Sequence, residues 1–296
     1  MNYEIRHDEY RGNGNENEYR HGIFFLPLNK RDDIIQHLIT IREEYKVSLK
    51  KDIKFAWCLK NYKNKNSQVI KNNLSLFSHL LLTQNIISTP IFHITPKDIY
   101  KQKFEPYLEI RWMFGCKFVL FHIPDNHKEL NKYNMSYADL VETTFRMWFK
   151  GWAHSFFSKA NPINITDFFF DGHQHHNWNI NIDRITKWNF REYCTFSDKC
   201  KIDDSHIENR DEYSKLIMSF VDNIVWAWAA KFKKIPDKDK ILYSLNWLYN
   251  SLKSREIIKN YKNNWHRSIS VSKLLVDDGN IKFPDFFEEQ DQPRLF

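Results

Sequence analysis

Alternation of polar and apolar side chains at the start of the chain predicts a β-hairpin. Residues 2–7 alternate as in a strand, residues 8–15 are polar and rich in turn formers, and residues 21–28 read as the return strand. Asp8 and Glu9 are therefore expected where the first strand ends, held by the sheet yet open to solvent and substrate. The alternative is that both acids only begin a solvated loop.

Apolar residues at helical spacing predict helices over residues 29–46, 67–87, 136–156 and 211–232. In the third helix the apolar stripe is wide, which is typical of a core-facing surface. Continuous apolar runs predict buried strands over 117–123 and 163–172, and a shorter run over 52–57 is consistent with an edge strand.

Asp222 is an acid in an apolar helix. It is the only charged residue between positions 216 and 230, and Met218 and Val225 are among its neighbours on the helical face. A buried carboxylate needs a cation, a network of donors or a metal ion beside it. A metal site and a structural salt bridge to a Lys or Arg therefore both remain open.

Asp171 marks the end of the strand predicted over residues 163–172. It lies where a carboxylate would reach the edge of a sheet, although Asp-Gly is also a common hairpin turn. His173, His175 and His176 follow directly and are of the type that binds metals. A polar loop is the favoured interpretation of these histidines, because no matching Cys or His set lies near them in sequence.

Composition is compatible with a sizeable core and a polyanionic partner. Of the 296 residues 42% are apolar and 16% aromatic, and the formal charge of +7 with a pI of about 9.0 is mildly basic. The four cysteines form no Cys-x-x-Cys pair and are expected to be free thiols in a reducing cytosol. Without an apolar signal core or a membrane-length apolar window, we expect a soluble cytoplasmic protein with no membrane partner.

Three motifs, taken in order, resemble those of one family. They are Asp8-Glu9-Tyr10-Arg11-Gly12-Asn13, Asp204-Ser205-His206 and Leu216-Ile217-Met218-Ser219-Phe220-Val221-Asp222-Asn223-Ile224. The chain resembles a divergent member of the domain-of-unknown-function 3800 family of ribonuclease H-like proteins. In that family Asp-Glu-Ser-Gly closes the first strand, Asp-Ser precedes the last helix, and Leu-Gln-x-Ala-Asp lies on that helix.

The resemblance extends over residues 1 to about 232, and its motifs match in part. Tyr10 stands where the family has Ser, Gly12 comes one residue late, Ser219 lies near the usual Gln, and Val221 replaces Ala. The positions that carry over best are Asp8, Glu9 and Asp222.

The resemblance implies an α/β fold, a ribonuclease H-like mixed β-sheet flanked by helices. We assign this domain to residues 1–235, and a C-terminal helical extension and tail, with a helix over 237–262, to residues 236–296. Members of the family are mostly predicted nucleases linked to mobile elements and to defence against phage. A fold does not establish an activity.

The implied chemistry is phosphodiester hydrolysis with Mg²⁺ or Mn²⁺ held by carboxylates. Asp8 would bridge two metal ions, Asp171 and Asp222 would hold one each, and Glu9 would orient the attacking water. Asp171 enters by fold analogy, as the acid of a central strand, and Asp52 is a weaker fourth candidate.

The expected partner is DNA or RNA, and basic residues near the predicted helix ends are candidates for phosphate contacts, although each is also an ordinary solvated charge. They are Arg146, Lys150, Lys231, Lys233 and Lys234. The alternative function is a non-catalytic component that binds nucleic acid or protein, with a protein partner docking on the C-terminal extension. A hydrolase of small phosphate compounds is a third possibility.

Overall fold

The structure is a computed structural model, and it describes less than half of the chain. The described residues are 1–11, 19–55, 57, 61, 66–72, 75, 91–92, 108–109, 116–123, 139, 142–143, 145–146, 162–170, 193–204, 212–231, 269–277 and 280–282. Several sequence predictions fall outside them: Asp171, the histidines at 173, 175 and 176, Lys150, Lys233, Lys234, and the helix over 237–262.

A six-stranded mixed sheet forms the centre of the described structure. Its strands are β1 (Asn2–Arg11), β2 (Tyr19–Pro27), β5 (Lys117–Ile123), β6 (Ile163–Phe170), β7 (Cys194–Asp204) and β8 (Ile269–Lys273). Their spatial order is β7-β6-β1-β2-β5-β8. Two small two-stranded sheets pair β3 (Ile91–Phe92) with β4 (Leu108–Glu109), and β9 (Leu275–Asp277) with β10 (Asn280–Lys282).

Strand β1 lies at the centre of this sheet and has neighbours of opposite direction. It pairs antiparallel with β2 and parallel with β6, while β5 is antiparallel to β2, and β7 and β8 run parallel to β6 and β5. All nine residues of β2 are buried, so side chains are covered on both faces of the sheet there. The prediction of a mixed α/β sheet flanked by helices is confirmed.

Two helices are described along their whole length. A 3-10 turn, Leu28–Lys30, leads into α1 (Arg31–Glu44), and α2 spans Glu212–Lys231. Both agree with the helical spacing in the sequence, and α1 begins with Asp32 and Asp33, where negative charge stabilises a helix N-terminus. Among the described residues, no helix has the length and apolarity needed to cross a membrane.

Strand β1 is longer than the sequence pattern predicts. The alternation ends at position 7, but the strand continues to Arg11, which pairs with Tyr19 of β2. Asp8 and Glu9 are therefore inside a strand and buried, and not at its mouth. Because successive side chains of a strand point to opposite faces, these two acids lie on different sides of the sheet.

Two other expectations differ from the structure. Residues 52–54 form no strand, and Phe55 and Trp57 are helical, because polar side chains of α2 bind the backbone of this segment in place of a neighbouring strand. In the C-terminal region, where the sequence predicts a helical extension followed by a tail, β8 adds a parallel strand beside β5 at the edge of the sheet. Two of the four cysteines, Cys116 and Cys194, are buried free thiols, in agreement with prediction.

Helix α2 packs very closely on the sheet at Gly22. A Cβ added at this glycine would meet Cγ2 of Val225 on α2 well inside contact distance, and the Phe118 ring at 3.3 Å. Gly22 pairs with Asp8 across β1 and β2, so the glycine allows the helix to approach the strand pair beside that acid.

We expect Gly22→Ala to lower the free energy of unfolding by about 1–3 kcal/mol, because the added methyl group forces the helix or the β-branched Val225 to move. Urea denaturation measures the change. The matched control is the double variant Gly22→Ala/Val225→Ala, in which the obstructing methyl is gone. If Gly22→Ala lowers the free energy of unfolding by the same amount in the Val225→Ala background as in the wild type, close packing against Val225 is not the cause.

Candidate functional site

Asp8 faces helix α2. Its neighbours on the same side of β1 both contact that helix: the Arg6 guanidinium lies 3.3 Å from the Ser214 hydroxyl, and the Tyr10 ring packs edge-on against Trp226 with centroids 4.4 Å apart. Since alternate residues share a face of a strand, Asp8 lies beneath the middle of α2, between these two contacts.

A buried ion pair holds β1 in this position. Arg6 Nε donates to a Glu4 carboxylate oxygen at 2.9 Å, and Nε of Arg31, on α1, lies 3.4 Å from the other oxygen. The Arg6 guanidinium also stacks over the Phe169 ring of β6 at 3.8 Å. The charges thus connect β1, α1, α2 and β6, and breaking a buried pair of this kind leaves an uncompensated charge.

Asn223 attaches residues 53–55 to helix α2. Its side-chain oxygen accepts a hydrogen bond from the backbone N–H of Phe55 at 2.7 Å, and its amide nitrogen donates to the backbone oxygen of Ile53 at 2.8 Å. One turn earlier, the Ser219 hydroxyl lies 3.3 Å from a carboxylate oxygen of Asp52. The segment is therefore held beside Asp222, which precedes Asn223 on the helix.

This attachment brings acids from three parts of the chain around one cation. Lys54 Nζ lies 3.5 Å from an Asp52 carboxylate oxygen. Partial burial would lower the pKa of Lys54, but the negative charges of Asp222, Asp52 and Asp8 outweigh it and raise the pKa above its usual value. Asp8 on β1 and Asp222 on α2 thus act on the same ammonium group.

The two principal acids differ in exposure. The Asp8 residue is 4% exposed, and one of its carboxylate oxygens accepts the backbone N–H of Glu9 at 2.6 Å. Asp222 is half-buried, whereas Asp52 and Lys54 have exposed side chains. The cluster therefore runs from the buried centre of the sheet to solvent.

Glu9 belongs to a different cluster on the opposite face. There one Glu9 carboxylate oxygen lies 3.9 Å from Nδ1 of His21, and that nitrogen shares a hydrogen bond of 3.0 Å with Nε2 of His7. The two imidazoles are stacked, and Phe145 packs edge-on against His7. Burial lowers the pKa of His7 to about 3, so this ring is neutral at ordinary pH.

The remaining predicted residues lie in different parts of the chain. Asp171 lies outside the described residues; it follows Phe170, the last residue of β6, whose partner on β1 is His7. Among the basic candidates, Arg146 is a half-buried helical residue, and Lys231 ends α2.

Sequence reasoning missed the residues that organise the cluster. Asn223 is polar and stands beside Asp222 in an otherwise apolar stretch, which is a signal that the pattern contained. Lys54 gave no signal, because a lysine in a short polar segment is ordinary. Only the fold shows that it interacts electrostatically with carboxylates from β1 and α2.

The donor set suits a hard divalent cation, which prefers carboxylate oxygens. Within the part of the chain that the structure describes, no group of three His, Cys, Asp or Glu side chains is arranged to hold a metal ion. Asp8 and Asp222 are two ligands of the kind required, and the third predicted ligand is Asp171. Comparison of the chain with protein-family models, curated proteins and solved structures gave no match.

We expect Asn223→Ala to cost about 2–4 kcal/mol of unfolding free energy, because the backbone N–H of Phe55 and the backbone oxygen of Ile53 both lose their amide partner. Urea denaturation provides the measurement. Ser219→Ala is the control, since it removes only longer hydrogen bonds and is expected to cost about 1 kcal/mol or less. An Asn223→Ala variant no less stable than the control would contradict the role of the amide.

His7 is expected to make stability fall with acid. Above pH 6.5 the ring is neutral in both states; below it the unfolded chain binds a proton that the folded chain does not take up until pH is near 3. Stability is therefore lost over that interval by at most ~1.4 kcal/mol per pH unit from this group. Urea denaturation between pH 7 and 4 measures the slope.

The comparison variant is His7→Gln, which has no titrating side chain and is expected to flatten that slope. His21 and Glu9 lie beside His7 and remain in both proteins. His37→Gln makes the same substitution at an exposed position of α1 and is the matched control. Equal slopes for the wild type and His7→Gln would refute the assignment.

Proposed function

We propose that the protein is a divalent-metal-dependent nuclease of ribonuclease H-like fold, with Asp8 and Asp222 as metal ligands. The observation that carries the proposal is that Asp8, buried on the central strand beneath α2, and Asp222, half-buried on α2, both interact electrostatically with Lys54. Carboxylates from separate elements that meet at a partly open position are the usual means of holding a catalytic cation.

The arrangement of the sheet supports this assignment. Its central strand, β1, carries an acid on the face covered by α2, and the sheet is mixed, with helical segments packed on its faces. The same motifs that suggest the ribonuclease H-like family include Asp8 and Asp222. Motif and geometry therefore favour the same two residues.

The chemistry of the cluster also suits a hard cation. The carboxylates of Asp8, Asp52 and Asp222 all act on the Lys54 ammonium, and carboxylate oxygens are the ligands that hard divalent cations prefer. Mg²⁺ or Mn²⁺ would be held by Asp8 and Asp222, with Asp171 as the third proposed ligand. A bound ion of this type supplies Lewis-acid stabilisation of a phosphoryl group and lowers the pKa of water.

The chain's own residues then have defined tasks. The backbone N–H of Glu9 orients the Asp8 carboxylate, and Asn223 keeps the Lys54 segment beside Asp222. The Glu9 carboxylate lies with His21 on the other face of β1, so the proposed site does not include it. Lys54 keeps its proton, because the acids around it raise its pKa, and it therefore adds positive charge where a phosphate would approach.

One observation favours a second function. The electrostatic interaction of Asp222 with Lys54 is also what a structural salt bridge would show. In that case the protein is a non-catalytic nucleic-acid-binding component, and Asp222 serves only the fold. Metal-dependent cleavage distinguishes the two functions.

We expect purified protein with Mn²⁺ or Mg²⁺ to cleave at least one member of a panel of single- and double-stranded DNA and RNA. Asp8→Asn and Asp222→Asn each keep the shape of the side chain but remove its charge, and are expected to lower the cleavage rate at least about a hundredfold. Circular dichroism and thermal unfolding establish that these variants fold.

Asp167→Asn is the matched control, since it neutralises a half-buried acid of β6 that is not a proposed ligand, and it is expected to cleave like the wild type. A fully active Asp222→Asn enzyme would refute the proposed site. Absence of cleavage by the wild type, together with measurable nucleic-acid binding, would favour the non-catalytic binding function.

A further inference from the structure

The segment of residues 51–57, next to the acid cluster, exposes an aromatic ring among basic side chains. Trp57 is 42% exposed, and Lys51 Nζ lies 5.9 Å from the centroid of its ring. The Lys54 side chain is 61% exposed. A large exposed aromatic side chain is more informative than an exposed charge, because folding normally removes such surface from water.

The backbone of this segment is held although the Trp57 ring is open to solvent. The Trp57 N–H donates to the backbone oxygen of Lys54 at 3.1 Å, and the Trp57 oxygen accepts the Asn61 side-chain amide at 2.8 Å. Asn223 fixes the same segment at Ile53 and Phe55. The backbone from which the ring and Lys54 project is therefore held in place, which removes the backbone part of the entropy cost of binding a ligand.

Lysines and an exposed indole together match the chemistry of a nucleic-acid strand. Ammonium groups contact phosphates regardless of sequence, and an aromatic ring stacks on a base. In the interior of a duplex the faces of the bases are already stacked on one another, so away from the duplex ends the indole would find a partner only in an unpaired base. The combination favours a single strand over a duplex.

We propose that Lys51, Lys54 and Trp57 form a binding surface for single-stranded nucleic acid, in which Trp57 stacks on an unpaired base and the lysines contact the adjoining phosphates. Because Lys54 interacts with the acids of the proposed metal site, a strand bound on this surface would reach that site. Single-stranded nucleic acid is then the substrate class of the nuclease, and this part of the inference rests on the proposed function.

The test is the binding of fluorescently labelled oligonucleotides of about 12 nucleotides, a length within the footprint of known single-strand sites. The full chain is titrated in EDTA against single-stranded DNA and RNA and against blunt duplexes of the same sequences, and anisotropy gives the Kd. Trp57→Ala is expected to raise the Kd for at least one single strand by roughly five- to a hundredfold. The Kd for the duplexes is expected to stay within about twofold, because a stacked base offers no free face.

Three further variants separate stacking from general effects. Trp57→Phe is expected to recover most of the affinity lost in Trp57→Ala, because an aromatic face is restored. Lys54→Gln is expected to weaken single strand and duplex alike, since phosphate contacts do not report base pairing. Tyr213→Ala removes a comparably exposed aromatic side chain, 41% exposed, at the start of α2, and is expected to change neither affinity.

The inference is overturned by absence of binding, by an unchanged Kd for Trp57→Ala, or by an equal loss for duplex and single strand. Because the assay contains no metal, its outcome is separate from that of the cleavage test. Loss of single-strand binding in Trp57→Ala, with unimpaired cleavage by Asp222→Asn, would refute the metal site and leave this surface standing. Metal-dependent cleavage that is lost in Asp222→Asn, together with an unchanged Kd for Trp57→Ala, would support the metal site and refute this surface.

Discussion

The packing of α2 across β1 and β2 positions every group of the candidate site. The helix approaches the sheet closely where Gly22 has no side chain, with Val225 in the space that a Cβ would need. Arg6 and Tyr10 contact the helix on either side of Asp8. The distance between Asp8 and Asp222 thus depends on a packing contact that neither acid makes, which is why a methyl group at Gly22 would disturb the site.

Several of the buried polar side chains hold strands, helices and loops in position relative to one another. Arg6, Glu4 and Arg31 form a buried charged group, and Asn223 uses its amide to bind the backbone of residues 53–55. Buried ion pairs contribute little net stability, because desolvation offsets their attraction, but losing one partner is expensive. Such groups therefore select one arrangement of strand, helix and loop, and this arrangement places Lys54 among the acids.

The two faces of β1 have different chemistry. Asp8 lies in a cluster that reaches solvent through Asp52 and Lys54, whereas Glu9 lies with His7 and His21 under Phe145. Adjacent acids in the sequence thus belong to separate environments. On the Glu9 face, burial keeps His7 neutral, as in a packed interior. On the Asp8 face, the carboxylates keep the Lys54 ammonium charged, as at a site that is open to solvent.

The sequence predicts elements whose pattern is local and continuous. Periodicity identifies α2 and α1, and an apolar run identifies β5, because in these segments most of the buried positions are apolar and follow the spacing of the element. The length of β1 escapes prediction, since several of its polar residues are buried beneath α2, which lies about 200 positions later in the chain. The segment at 52–57 was wrongly predicted as a strand for the same reason: its backbone is bound by Asn223, about 170 positions later in the chain.

At the candidate site, the sequence shows that Asp222 lies among apolar residues, but it does not show that Asp222 interacts with Lys54. The sequence points to Asp8 through its place near the end of the predicted first strand and through the motif that begins with it. The separation of Glu9 from Asp8 follows only once the strand is known to continue. Lys54 is an ordinary residue by composition. Its place among acids of β1 and α2 is a property of the tertiary structure.

The central claim is that Asp8 and Asp222 share one divalent cation. Electron paramagnetic resonance of Mn²⁺ titrated into the purified protein measures this directly, because bound and free ions give distinct signals. We expect saturable binding by the wild type and by Asp167→Asn, and a loss of affinity of at least about tenfold in both Asp8→Asn and Asp222→Asn. Equal Mn²⁺ binding by the wild type and both of these variants, or no binding by any of them, would contradict it.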